Sequence, residues 1–200
     1  MNIQMLKYPH PFSSICYLIS SAGEYAVIDP SYPYDPSLID GKLKYILLTH
    51  AHFDHFLDLE SWEKTGVDIL VCKYDLGGLS DPVRNCFKLF DGSAKGYHGR
   101  ASVISDGDIL PLGDTEIKVI GCPGHTIGSV TYFVENSAFV GDTIFANGIH
   151  GKYDLPTGNL VMLRDSIARL TSLPESVIVY PGHGPLSTIA EQARFHRYLL

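Results

Sequence analysis

Apolar residues in this chain fall into short runs bounded by Gly, Pro and Asp, a pattern of strands in a β core rather than of long helices. Ile3 to Tyr8, Ile15 to Ser20 and Tyr25 to Asp29 read as strands, the last stopped by Pro30. After a Pro-rich loop at Pro33 to Pro36, the buried-type run Tyr45-Ile46-Leu47-Leu48-Thr49 delivers His50. A helix is expected from about Asp54 to Lys64, ending before Gly66. Val67 to Cys72 reads as another strand, and the punctuated stretch from Asp75 to Asp108 as mostly short helices and loops.

The second half continues in the same way. Thr115 to Ile120 leads into Gly121-Cys122-Pro123-Gly124-His125, Ser129 to Val134 forms a further strand, and Ala138 to Gly141 leads into Asp142. Leu160, Leu163, Ile167 and Leu170 recur at helical spacing with Arg164 and Asp165 opposite, so residues 159–171 read as an amphipathic helix. Val177 to Tyr180 leads into Pro181-Gly182-His183, and a last helix is expected over Thr188 to Tyr198. Four apolar strands thus end in Gly- or Thr-containing turns that present a His or an Asp. Such residues converge if the strand ends share one edge of a β core. The arrangement suits two sheets packed face to face with helices outside.

The densest chemistry lies in Thr49-His50-Ala51-His52-Phe53-Asp54-His55. In extended backbone His50 and His52 point the same way, and the turn into a helix redirects Asp54 and His55. One segment can therefore serve two metals. With His125, Asp142 and His183 the set has five imidazoles and two carboxylates, too many for one ion, since catalytic zinc keeps three protein ligands and an open position. Two ions with three terminal ligands each and one shared carboxylate fit the count, and Asp142, which belongs to neither cluster, suits the bridging place. Taken singly, Asp54 would be a helix N-cap and a His after Pro-Gly a turn residue; their joint occurrence at strand ends favours the metal reading. His10, His98 and His196 read as surface or loop residues, whereas His150, in a Gly-rich loop beyond Asp142, is placed at the substrate pocket.

Composition narrows the rest. The chain of 200 residues, 45% hydrophobic and 18% charged, fits one globular domain. No apolar run approaches the roughly 20 residues of a membrane-spanning helix. Lys7, Pro9, His10 and Pro11 break up any signal-peptide pattern, so a cytoplasmic location with no membrane partner is expected. A net charge of −7 without a Lys/Arg cluster argues against nucleic acid as partner. Cys16, Cys72, Cys86 and Cys122 show no C-x-x-C pairing and are expected reduced; three read as core residues, while Cys122, three positions before His125, is placed near the site.

The segment from Thr49 to His55 matches the T-H-x-H-x-D-H signature of the metallo-β-lactamase superfamily. Cys122 to Ser129, Gly141 to Phe145 and Tyr180 to Gly184 resemble the later motifs of its glyoxalase II-like branch. The resemblance implies an α/β fold, a four-layer αββα sandwich, as a single domain over residues 1–200 that lacks the C-terminal glutathione-binding helical region of full-length glyoxalase II. It implies a first metal at His50, His52 and His125, a second at Asp54, His55 and His183, and Asp142 bridging. The cofactors would be two divalent ions, zinc foremost, with iron and manganese accepted by the same donors.

The activity so implied is hydrolysis of a small thioester such as an S-acylglutathione by a metal-bridging hydroxide, with Asp54 as the catalytic residue that orients it. Lys152 matches a lysine that glyoxalase II enzymes use near the glutathione carboxylate, and His150 and Tyr153 join it as candidate substrate contacts, while Asp154 occupies a nearby tyrosine position. Phe56-Leu57-Asp58 replaces glycines common in the family, so the pocket entrance is expected to differ. Other esters or lactones are alternative substrates. A persulfide dioxygenase would instead use one iron(II), for which His50, His125 and Asp142 would serve, and a non-catalytic metal-binding module is the remaining class.

Overall fold

A computed structural model describes residues 1–90 and 92–196. Its first half builds one mixed six-stranded sheet from β1 (Asn2–Lys7), β2 (Ile15–Ser21), β3 (Glu24–Ile28), β4 (Lys42–Leu47), β5 (Ile69–Cys72) and β6 (Ser102–Ile104), paired in chain order. Helices α1 (Leu59–Glu63) and α2 (Phe87–Phe90) fall between these strands. The second sheet takes β7 (Ile109–Leu112), β8 (Thr115–Gly121), β9 (Val130–Val134) and β10 (Ser137–Gly141). After a small hairpin of β11 (Ile144–Phe145) and β12 (Ile149–His150) come α3 (Leu160–Thr171), β13 (Ile178–Pro181), β14 (Ser187–Thr188) and α4 (Ile189–His196). The strand order of this second sheet is β14-β13-β10-β9-β8-β7, with β10 and β13 parallel.

Side-chain alternation along the strands sorts the core into layers. Ile15, Tyr17 and Ile19 of β2, Ala26 and Ile28 of β3, and Leu70 and Cys72 of β5 face the second sheet, where they meet Ile117, Val119, Tyr132 and Phe139. The intervening Cys16, Leu18, Val27, Ile69 and Val71 face the other way and pack under Leu59 and Trp62 of α1 and Phe87 of α2. On the outer face of the second sheet, Ala138, Val140 and Val179 meet Leu163, Ile167 and Leu170 of α3 and Ile189 of α4. Helix, sheet, sheet, helix is the four-layer αββα order. Asn159 caps α3, its side chain accepting from Met162 N at 3.0 Å.

Several expected elements change. The helix from Asp54 to Lys64 resolves into a 3-10 turn at Phe53–His55 and the short α1, because Phe56 leaves helical geometry (φ −135°, ψ 29°). The stretch from Asp75 to Asp108 hides β6, three residues long and added in parallel to β5. Pro111 disguised β7, which is an edge strand paired only with β8, where a missing backbone N–H is tolerated. The final helix runs as far as His196; Tyr198 lies outside the described residues. Among the described residues no helix is long and apolar enough to cross a membrane.

Candidate metal centre

The residues following β4, β8, β10 and β13 supply the predicted ligands, and backbone hydrogen bonds lash these turns together. Val130 N donates to Thr49 O at 2.8 Å, Gly182 N to Gly141 O at 2.8 Å, Ser14 N to Asp54 O at 3.1 Å and Ile15 N to Gly182 O at 2.7 Å. All seven predicted ligands therefore meet at one edge of the sandwich. His50, His52 and His125 form one group and Asp54, His55, Asp142 and His183 a second, each with its donor atoms within 4.8 Å of one another. The four histidines 50, 52, 55 and 125 are buried, while Asp54, Asp142 and His183 are half-buried.

Tautomers follow from the outer contacts. His125 Nδ1 lies 2.7 Å from Lys152 O, a pure acceptor, so it carries the proton and Nε2 presents its lone pair to the site. Thr49 Oγ1 donates to Asp29 Oδ2 at 2.8 Å, which leaves its oxygen to accept from His50 Nδ1 at 3.1 Å. His55 Nδ1 donates to the same Asp29 Oδ2 at 2.8 Å. One buried carboxylate thus turns the Nε2 atoms of both His50 and His55 inward, the outer-contact logic of metal sites. Asp29 also accepts from Thr49 N at 2.8 Å and holds a left-handed backbone at φ 53°.

The fit to metal rests on polar atoms left unsatisfied. His50 Nε2, His55 Nε2 and Asp142 Oδ1 are buried without a hydrogen-bond partner. His52 Nε2 is a fourth such atom, although His52 Nδ1 and His125 Nε2 pair with each other at 2.9 Å, and His55 Nε2 approaches Asp142 Oδ1 at 3.2 Å without hydrogen-bond alignment. Buried donors and acceptors normally find partners; converging lone pairs that do not are what a bound cation satisfies.

Electrostatics divide the two groups. Burial, reinforced by His55 and the other imidazoles, pushes His50 well below the ordinary histidine range, and burial with His125 pushes His52 down to about 3. Burial also works against a charged His55, but Asp29, Asp142 and Asp54 outweigh it and raise His55 well above the usual value. His183 is raised despite its burial by its 2.9 Å hydrogen bond to Asp54 and by Asp142. In return His55 and His183 hold Asp54 and Asp142 below the carboxylate range, against the pull of burial.

Two supporting elements were invisible in the sequence. Buried Asp75 accepts from Ala51 N at 3.0 Å, Thr126 Oγ1 at 2.7 Å and Gly128 N at 3.0 Å, and so joins the His50–His55 segment to the His125 turn. At Gly182 a Cβ would collide with Asp142 Oδ1 and would lie 2.5 Å from His55 Cε1, so only glycine lets β13 end here. Asp29 did leave a trace, a lone carboxylate after the apolar run Ala26-Val27-Ile28.

The site floors a cavity of about 310 Å³ whose lining includes His52, Asp54, His125 and Asp142. His150 and Lys152 line it as anticipated, whereas Tyr153 sits outside the lining, exposed, with its ring 5.9 Å from that of His150. Cys122 is buried in the outer core, 3.3 Å from Thr131 Oγ1, rather than near the site; the cysteine that lines the cavity is Cys86, whose thiol burial holds up to about 11. His10 and His98 are exposed as expected, but His196 is fully buried, 3.1 Å from Gln192 Oε1, because α4 turns it inward.

Residues 11–183 match the model of the metallo-β-lactamase superfamily. The chain belongs to that superfamily. A probable metallo-hydrolase of Bacillus subtilis, YqgX, is 36% identical over 144 residues, covering 70% of this chain and 68% of that one. A hydroxyacylglutathione hydrolase of Rhodospirillum rubrum is 32% identical over 171 residues, 82% of this chain and 58% of that protein. Among solved structures, the B3 metallo-β-lactamase BLEG-1 superposes with a TM-score of 0.88 at 27% identity, covering 99% of both chains. TTHA1623, crystallised in a di-iron-bound form, gives 0.80 at 27% identity over 98% of both. The sandwich described above is the metallo-β-lactamase fold.

Proposed function

We propose that this superfamily member is a binuclear metal-dependent hydrolase whose substrate is a small thioester of the S-acylglutathione kind. The observation that carries the reading is that both ligand groups are complete and open into one cavity, with Lys152 on its lining. His50, His52 and His125 would hold one ion and Asp54, His55 and His183 the other, with Asp142 between them. When bound, such a pair supplies a hydroxide at neutral pH and polarises an acyl carbonyl.

The chain's own residues do the rest. Asp54, kept anionic by His55 and His183, orients the attacking water and takes its proton. An oxygen–carbon bond forms at the acyl carbon, the carbon–sulfur bond breaks, and the released thiolate leaves as thiol once protonated. Lys152 is exposed at the cavity, where its own backbone carbonyl fixes His125, so a carboxylate on the leaving thiol would be drawn to its ammonium group. The hydroxyacylglutathione hydrolase among the relatives supports this class of substrate. A single-iron oxygenase would employ only His50, His125 and Asp142 and would leave the unsatisfied His55 Nε2 without a purpose.

Assay of metal-loaded protein against thioesters, lactones, β-lactams and phosphodiesters tests the reading. Thioester turnover that disappears in Asp54→Ala and His125→Ala is expected. Turnover of another class without thioesters, or full activity in either variant, would contradict it.

A further inference from the structure

Three aromatic side chains from separate chain segments and one lysine share the lining of the cavity above the ligands. Phe12, Phe53 and Phe90 line one part, and their rings form a triangle with centroids 6.1 Å (Phe12–Phe53), 6.2 Å (Phe12–Phe90) and 6.0 Å (Phe53–Phe90) apart. Phe53 is buried and rests on Phe87 at 4.8 Å, so the triangle is anchored in the core. Phe12 and Phe90 remain 42% and 43% exposed. The stretch of β12 and the loop after it brings Ile149, His150 and Lys152, and for Lys152 no carboxylate partner is found among the described residues. Phe53 lines the cavity together with Asp54, so the aromatic surface adjoins the ligand groups.

Resting on the thioester reading above, we infer that the acyl group taken by this site is apolar and longer than acetyl, seated against Phe12, Phe53 and Phe90, with the anionic end of the thiol left to Lys152. A ring triangle offers area and no hydrogen-bond partner, so it rewards each buried methylene and penalises a hydroxyl. A small hydroxylated acyl group such as lactoyl would be a poor occupant. The alternative, that Phe12 and Phe90 only cover the Phe53–Phe87 core, predicts an effect on stability and none on acyl selectivity.

The test is a series of acyl groups on glutathione (acetyl, propionyl, butyryl, hexanoyl, benzoyl and lactoyl), assayed for kcat/KM. A parallel series of S-alkylglutathione thioethers, which cannot be hydrolysed, is read by calorimetric binding. The expected result is a rise of about fourfold per added methylene in both series, with lactoyl below propionyl. Phe12→Ala and Phe90→Ala should flatten that slope. Leu89→Ala, beside Phe90 but 61% exposed and outside the cavity lining, should not. Thioether binding that climbs with chain length while no thioester is hydrolysed would overturn the thioester reading and leave the apolar subsite standing. Thioester hydrolysis that is flat with chain length or favours lactoyl, or binding that does not climb, would overturn the subsite.

Discussion

Asp29 Oδ2 accepts a hydrogen bond from His55 Nδ1 at 2.8 Å, and the same oxygen accepts from Thr49 Oγ1, which in turn faces His50 Nδ1. A residue at the end of β3 thus orients one histidine from each ligand group. Asp29→Asn would place an amide where two donors require an acceptor. Loss of such an outer contact costs about 10- to 100-fold in metal affinity, and both groups should weaken together. Competitive chelator titration of the variant checks this; weakening confined to one group would show that Asp29 serves only that one.

The protonation states of the two groups set a pH dependence. His55 and His183 are raised from the usual histidine value, whereas His50 and His52 are lowered, so before metal arrives the second group holds protons more tightly than the first. A ligand must be deprotonated to bind, so metal entering the Asp54–His55–Asp142–His183 group expels more protons than metal entering the other. As pH falls, affinity at that group should fall first. Calorimetry in buffers of differing ionisation enthalpy counts the protons; equal release from both groups would contradict the assignment.

Gly182 packs its backbone directly against two of the predicted ligands. In Gly182→Ala the new Cβ would press on Asp142 Oδ1 and His55. Retained secondary structure by circular dichroism with loss of one bound ion is expected. Two ions bound at unchanged affinity would show that the turn yields without disturbing the ligands.

Asp75 is structural glue rather than a ligand. Asp75→Ala would strand two buried donors, Ala51 N and Gly128 N, and leave Thr126 Oγ1 with Ser129 Oγ alone. Each unsatisfied group costs about 1–3 kcal/mol, so a loss of about 3–5 kcal/mol in denaturant unfolding is expected. A change below about 1 kcal/mol would indicate that water replaces the carboxylate at little cost.

The parts of this fold legible in the sequence are those where local pattern and tertiary burden agree. The run Ile15 to Ser20, continuously apolar as far as Ile19, and α3 with its Leu160–Leu170 stripe, emerge as read because the strand packs a layer on each face and the helix packs one stripe on the outer core. All seven predicted ligands converge, since strand ends bearing His or Asp leave few places for these side chains to go. The segment from Asp54 to Lys64 misled because its helical composition gives way to a turn that points Asp54 and His55 inward. Asp75 and His196 left no local signal: a carboxylate clamping two loops and a histidine buried under α4 exist only once distant segments meet. Cys86 displaced Cys122 at the cavity for the same reason, as nearness in sequence to His125 did not decide which side of β8 the thiol faces.

The central claim is that these seven side chains hold two ions, and metal stoichiometry tests it most directly. Protein saturated with zinc and freed of excess, measured by elemental analysis, should carry two ions per chain, and His183→Ala, which removes a ligand from one group alone, should carry one. A wild-type chain that binds a single ion at saturation, or a His183→Ala variant that still binds two with unchanged affinity, would contradict the account.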